Sequence, residues 1–251
     1  MKAEIVEHIN KSDKWITFTL RKGKSLVLAE RFEGDGCDNS LIDFLESEKE
    51  ILSQVKHISC YRTNKDLEHL KYFPSIECLN VRGGKSELRF PSLDGHIFLE
   101  QIHINDQAKE TKLFNIDTAI ALQRIFIGDF TFGKPVTLSN FDCILLCPKL
   151  ESLYFSNAKF EEHELSKLTQ LKTLTRLTLN QKYEVQKLAE LSVLLPNIEC
   201  EELKPWQKCE SSNGDIKING KRRPYLNSKA DQKRIRKYEI EFERLQKIYA
   251  E

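Results

Sequence analysis

Six times in this chain the same spacing recurs: an apolar residue, two intervening residues, an apolar residue, one more residue, and an apolar residue again. It stands at VKHISC from Val55, IECLNV from Ile76, LEQIHI from Leu99, LQRIFI from Leu122, LESLYF from Leu150 and LTRLTL from Leu174. The starts lie 21, 23, 23, 28 and 24 residues apart. A seventh, degraded copy, IECEEL from Ile198, carries Glu201 where the fourth position should be apolar. One unit of this length exposes an apolar face that it cannot bury alone, so the recurrence demands stacking of neighbours into a shared core.

Between the copies, Leu165, Leu168 and Leu171, and then Val185, Leu188 and Leu191, fall at spacings that put apolar groups on one helix face. Each unit is therefore expected to be strand, turn, helix. Pro74, Pro148 and Pro196 stand just before three of the strands, where each would end the preceding helix.

On these motifs the chain, over roughly residues 46–204, resembles the leucine-rich repeat family. The resemblance implies an α/β solenoid: a curved horseshoe with a parallel sheet on its concave side and helices on its convex side. It also implies a protein-binding role. The family's asparagine is missing at two expected places, where Ala158 and Lys182 stand.

An open stack needs covers at both ends. Residues 1–45 are read as an N-terminal cap, because KWITFTL and SLVLAE alternate apolar with polar residues around RKGK, the pattern of a β-hairpin. Residues 205–251 leave the spacing and are read as a C-terminal cap of basic hairpin and helix. Asn219-Gly220 marks a turn. Ile235, Tyr238, Phe242, Leu245 and Tyr249 then form one helical stripe, expected to dock on the chain itself rather than in a coiled coil.

Composition narrows the function classes. Thirty-nine basic and 38 acidic residues leave a formal charge of +1, so no global field directs the chain to nucleic acid or to an acidic membrane. The longest apolar run, CILLC from Cys143, is too short to span a bilayer, and the start MKAEIVEHINK lacks the apolar core of a signal peptide. A cytoplasmic protein is expected. Seven scattered cysteines read as free, mostly buried thiols, and Cys143 with Cys147 lacks the further ligands of a zinc site.

No enzyme motif survives inspection. GKS at Gly23 would close a phosphate loop only with a glycine five residues earlier, where Phe18 stands. His163 in EEHELSK has Lys167 where a zinc protease needs its second histidine, and GDGCDN from Gly34 lacks the spaced oxygen ligands of a calcium loop. The chain is read as non-catalytic, with no cofactor and no metal.

Strand alternation turns the spacing into a surface map: positions one, four and six face the core, and three, five and seven face outward on the concave sheet. Position five reads Ser59, Asn80, His103, Phe126, Tyr154 and Thr178; His57, Tyr61, Arg82, Gln101, Arg124 and Arg176 flank it. Exposed aromatics and arginines are common interface anchors, so Arg82, His103, Arg124, Phe126, Tyr154 and Arg176 are read as a partner-binding site. Against this stands simple cross-strand pairing of Phe126 with Tyr154. Nine basic residues against Asp231 alone between 217 and 237 make a second candidate, centred on Lys221, Arg222, Arg223, Lys233, Arg234, Arg236 and Lys237. Such a run serves nucleic acid or an acidic protein, or is a solvated helix face balanced by acids elsewhere. The expected role is an immunity or inhibitor protein occupying a toxin or enzyme. The alternatives are an adaptor or substrate receptor in a larger complex and a nucleic-acid-associated protein.

Overall fold

A computed structural model describes residues 5–11, 14–21, 25–30, 46–47, 49–53, 55–61, 67–82, 87–105, 110–128, 136–140, 142–156, 158–160, 162–179 and 183–251. The RKGK turn at 22–24 and the GDGCDN segment at 34–39 lie outside these residues. In chain order the strands are β1 (Ile5–Lys11), β2 (Lys14–Arg21), β3 (Ser25–Glu30), β4 (His57–Tyr61), β5 (Cys78–Arg82), β6 (Glu87–Arg89), β7 (Gln101–Asn105), β8 (Glu110–Phe114), β9 (Arg124–Ile127), β10 (Val136–Asn140), β11 (Ser152–Phe155), β12 (Ala158–Phe160), β13 (Arg176–Thr178), β14 (Trp206–Lys208), β15 (Ile216–Ile218) and β16 (Tyr225–Leu226). Each of the six copies starts its strand two residues after its first apolar position.

These strands assemble a nine-stranded sheet in the order β1-β2-β3-β4-β5-β7-β9-β11-β13. The first three are antiparallel, and pairing is parallel from β3 onward. Register carries the spacing from strand to strand: Ile58, Leu79, Ile102, Ile125, Leu153 and Leu177 stand in one row, all buried. An identical turn precedes each strand, closed by the N–H of the first apolar residue donating to the carbonyl three residues back, as in Leu99 to His96, Leu122 to Ala119 and Leu174 to Leu171. A one-residue slip would turn that row to solvent, which is why the register is held.

The connections depart from the expected helix in most units, while Val185, Leu188 and Leu191 lie on an α-helix as expected. The strands β12-β10-β8-β6 form a second, wholly parallel sheet, so four of the connections run partly extended. Leu165 and Leu168 lie on a 3-10 helix, Glu162–Gln170, rather than an α-helix, and both are buried. A strict spacing of three suits that geometry, because side chains three apart eclipse at three residues per turn. Longer α-helices form where no second-sheet strand takes up the connection, at Val185–Leu194. The prolines act as expected: the 3-10 helix His69–Tyr72 and the helices Asp142–Leu145 and Val185–Leu194 each end two or three residues before one.

The core is one cluster running from Leu52 to Leu245. At its far end the 19-residue helix Gln232–Ala250 lays Phe242 and Leu245 into that cluster. Ile235 packs instead with Ile216, Ile218 and Leu226 of the antiparallel β14-β15-β16 sheet, beside Trp206 and Tyr238. Tyr249, the last residue of the stripe, is exposed. The buried Asn219 amide donates to the carbonyls of Glu201 (2.7 Å) and Lys204 (2.9 Å), tying the turn between β15 and β16 to the last degraded copy. No helix among the described residues is long and apolar enough to cross a membrane.

Candidate recognition surface

Parallel strands in register bring position five of successive copies side by side: Asn80, His103, Phe126, Tyr154 and Thr178. Adjacent strands are about 4.8 Å apart, so like rings in like rotamers must stack. His103 and Phe126 do so with centroids 4.4 Å apart and planes at 4°, and Phe126 and Tyr154 repeat the geometry at 4.4 Å and 4°. All three rings are half-buried: their faces cover one another and their edges reach solvent. Cross-strand pairing and exposure thus coexist in the same side chains.

The Gln101 side chain hydrogen-bonds His103 Nε2 from two residues along the same strand. Burial, reinforced by the positive charges of Arg82 and Arg124, holds the His103 imidazole below the ordinary histidine range. The ring is therefore neutral at neutral pH. Arg82, Arg124 and Arg176 are all exposed. Arg124 lies 3.4 Å from Glu100 and Arg176 lies 3.3 Å from Glu199, exposed pairs that contribute little net attraction. Outward positions among the described strands β5, β7, β9, β11 and β13 hold three arginines and no carboxylate; the acids Glu77, Glu100 and Glu151 stand one residue before β5, β7 and β11, and Glu199 bridges Arg176 of β13 in parallel.

Beside the rings, Phe126, Gly128, Tyr154, Ser156 and Thr178 enclose a depression of about 240 Å³. Gly128 has φ +109°, and a Cβ there would stand 1.4 Å from the Ser156 carbonyl oxygen. Only glycine lets the two backbone segments approach this closely. Beyond Tyr154 a second cavity of about 400 Å³ is bordered by Arg176, Thr178, Glu199, Glu201, Glu202 and Gln207. Sequence reasoning missed these acids as a group. The one signal was Glu201 breaking the apolar spacing. In the fold it opens the 3-10 helix Glu201–Leu203 at the sheet's end, where the buried Glu202 carboxylate accepts the Leu179 N–H at 3.4 Å.

Four of the nine basic residues between 217 and 237 are in ion pairs. Arg223 makes a two-pronged contact with Glu241 (2.7 and 3.3 Å) and lies over the Tyr238 ring; Lys221 meets Glu184, Arg234 meets Asp231, and Arg236 meets Glu239 and Glu243. Arg222, Lys233 and Lys237 are exposed. Of these, the Arg223 contacts with Glu241 and Tyr238 fasten the terminal helix to the turn before β16, whereas the Arg234 and Arg236 pairs lie within the helix and its cap. Cys143 and Cys147 donate to backbone carbonyls, and burial pushes both thiols up to about 12, so neither is a thiolate nucleophile at neutral pH. Among the described residues no group of three or more His, Cys, Asp or Glu side chains is placed to hold a metal ion.

No family model matches the sequence, and no curated protein matches it. Among solved structures, an internalin (inlF) from Listeria monocytogenes is similar, with a TM-score of 0.41 and 16% identity over 61% of this chain and 42% of the internalin. The chain thus spans less than half the length of that protein.

Proposed function

We propose that the chain is a leucine-rich-repeat solenoid whose concave sheet occupies a partner protein without catalysis, the most fitting role being that of an immunity or inhibitor protein in the cytoplasm. In this reading residues 46–204 are the repeats, 1–45 the front cap and 205–251 the rear cap, and Arg82, His103, Arg124, Phe126, Tyr154 and Arg176 make the contact. The observation that carries it is the His103–Phe126–Tyr154 stack, three large side chains packed on each other and left half open on the outward sheet face. Rings held this way lose little side-chain freedom on binding, which favours them as anchors. Affinity capture with wild type, followed by calorimetry of the Phe126→Ala/Tyr154→Ala variant, tests it. At about 2 kcal/mol per central anchor, binding should weaken by roughly a hundredfold or more while the variant stays folded. Full affinity in the folded variant would move the contact off this face.

A second reading, an adaptor, draws on a different surface. The recurring turns before β7 and β9 expose Ile97 (58%), Phe98 (49%) and Ile120 (48%), apolar side chains on successive turns and outside the ring stack. Two surfaces fit an adaptor, and one partner bound through each would replace the inhibitor role. Nucleic acid is the weaker alternative, because four of the segment's nine basic residues, Lys221, Arg223, Arg234 and Arg236, are already held by carboxylates.

A further inference from the structure

The ring stack has an open end. Phe126 covers one face of Tyr154, and on the other side the register offers only Thr178. A threonine is too short to reach across a phenol ring, so the outer part of that face borders the cavity of about 400 Å³. Its far wall sets three carboxylates, Glu199, Glu201 and Glu202, against a single cation, Arg176. Glu199 and Glu201 each hold an exposed cation, Arg176 and Lys204, in pairs that a better-placed donor can displace or share. Glu202 is only 7% exposed and is fixed through one oxygen, which accepts the Leu179 N–H and the Cys200 thiol. A carboxylate has about four acceptor positions, so capacity remains at all three.

We propose that this cavity receives an arginine side chain of the partner protein, its guanidinium lying on the open face of Tyr154 and donating to Glu201 and Glu199. A planar, weakly hydrated cation satisfies both walls at once: the ring face attracts it through the π-system, and its forked donors match the carboxylates. A lysine ammonium is drawn to both walls but is more strongly hydrated and can neither lie flat on the ring nor fork its donors. A nucleotide base could stack on the ring, but its phosphate would face the carboxylates. An arginine anchor presumes the protein partner proposed above, yet the pocket is testable without that partner.

The probe is Nα-acetyl-arginine amide, titrated into the full chain while the backbone amides of Thr178 and Gln207 are followed by NMR. Their resonances should shift saturably, with a dissociation constant on the order of 10 mM for a ligand of this size. The lysine and citrulline analogues, lacking planarity and charge respectively, should bind at least about fivefold more weakly. Tyr154→Leu and Glu201→Gln should each weaken the arginine probe similarly, whereas Tyr154→Phe, which keeps the face, should retain it. Thermal melts confirm that each variant is folded. No saturable shift, citrulline or adenosine monophosphate binding as well as arginine, or full affinity in folded Tyr154→Leu would each overturn the arginine pocket. A partner still captured through the ring stack under any of those results would leave the recognition reading standing and remove this anchor alone.

Discussion

Replacing Phe242 by alanine is the sharpest test of how the chain closes its open end. Phe242 is 2% exposed and belongs to the main core cluster with Leu245, on the helix that packs along Val185–Leu194. Gln246 adds a 2.8 Å hydrogen bond to Ser192 between the same two helices. Truncating a buried phenylalanine to alanine costs about 3–5 kcal/mol, from lost burial and the cavity left behind. For a chain of this size that corresponds to a fall in melting temperature of roughly 6–20 °C. Ile240 lies two residues away on the same helix but is 52% exposed, so Ile240→Ala should change stability by no more than about 0.5 kcal/mol. Calorimetric melts of both variants at two protein concentrations read the difference. Hydrogen exchange should rise first in Val185–Leu194, which loses its cover. Equal, small effects of the two substitutions would mean that the helix does not dock. A loss that depends on protein concentration would mean that it docks on another copy.

Gly128→Ala should lower the urea midpoint by an amount equivalent to at least about 2 kcal/mol, because the new Cβ would collide with the Ser156 carbonyl at a φ that alanine avoids; a wild-type midpoint would refute the close approach of these backbone segments. Acid should destabilise the fold through His103: its folded pKa lies below the ordinary 6.5, so the unfolded chain takes the proton first, and the stability it contributes above 6.5 is lost as the pH falls toward the folded value. His103→Gln should flatten melting temperature against pH in that window, and an unchanged slope would show that neither partial burial nor the charges of Arg82 and Arg124 hold the His103 imidazole down. With thiols pushed up to about 12, Cys143 and Cys147 hold on the order of one part in 10⁴ thiolate at pH 8, so iodoacetamide should label them only after unfolding. Peptide mapping that finds them alkylated in the native protein as fast as Cys209 would contradict their burial.

Much of this architecture was written in local spacing. The interval between Ile76, Leu79 and Val81, repeated at Leu99, Ile102 and Ile104 and onward, dictates which side of each strand is buried, because alternation along a strand leaves no other choice. The prolines and the amphipathic stripe of Ile235, Phe242 and Leu245 likewise announced helix ends and a terminal helix with a buried face. The same alternation placed His103, Phe126 and Tyr154 on one outward row. Hidden from this reading was what the connections do. Short segments such as Glu87–Arg89 and Ala158–Phe160 carry too few residues to display a period, and they become strands only because neighbouring connections lie beside them to pair with. The 4.4 Å ring stack, the ion pairs that engage the basic segment, and the meeting of Tyr154 with Glu199, Glu201 and Glu202 are decided at the same level. Each joins residues whose positions along the chain carry no shared signal, so only stacking of one unit on the next, with the terminal helix folded back over the last, brings them within reach.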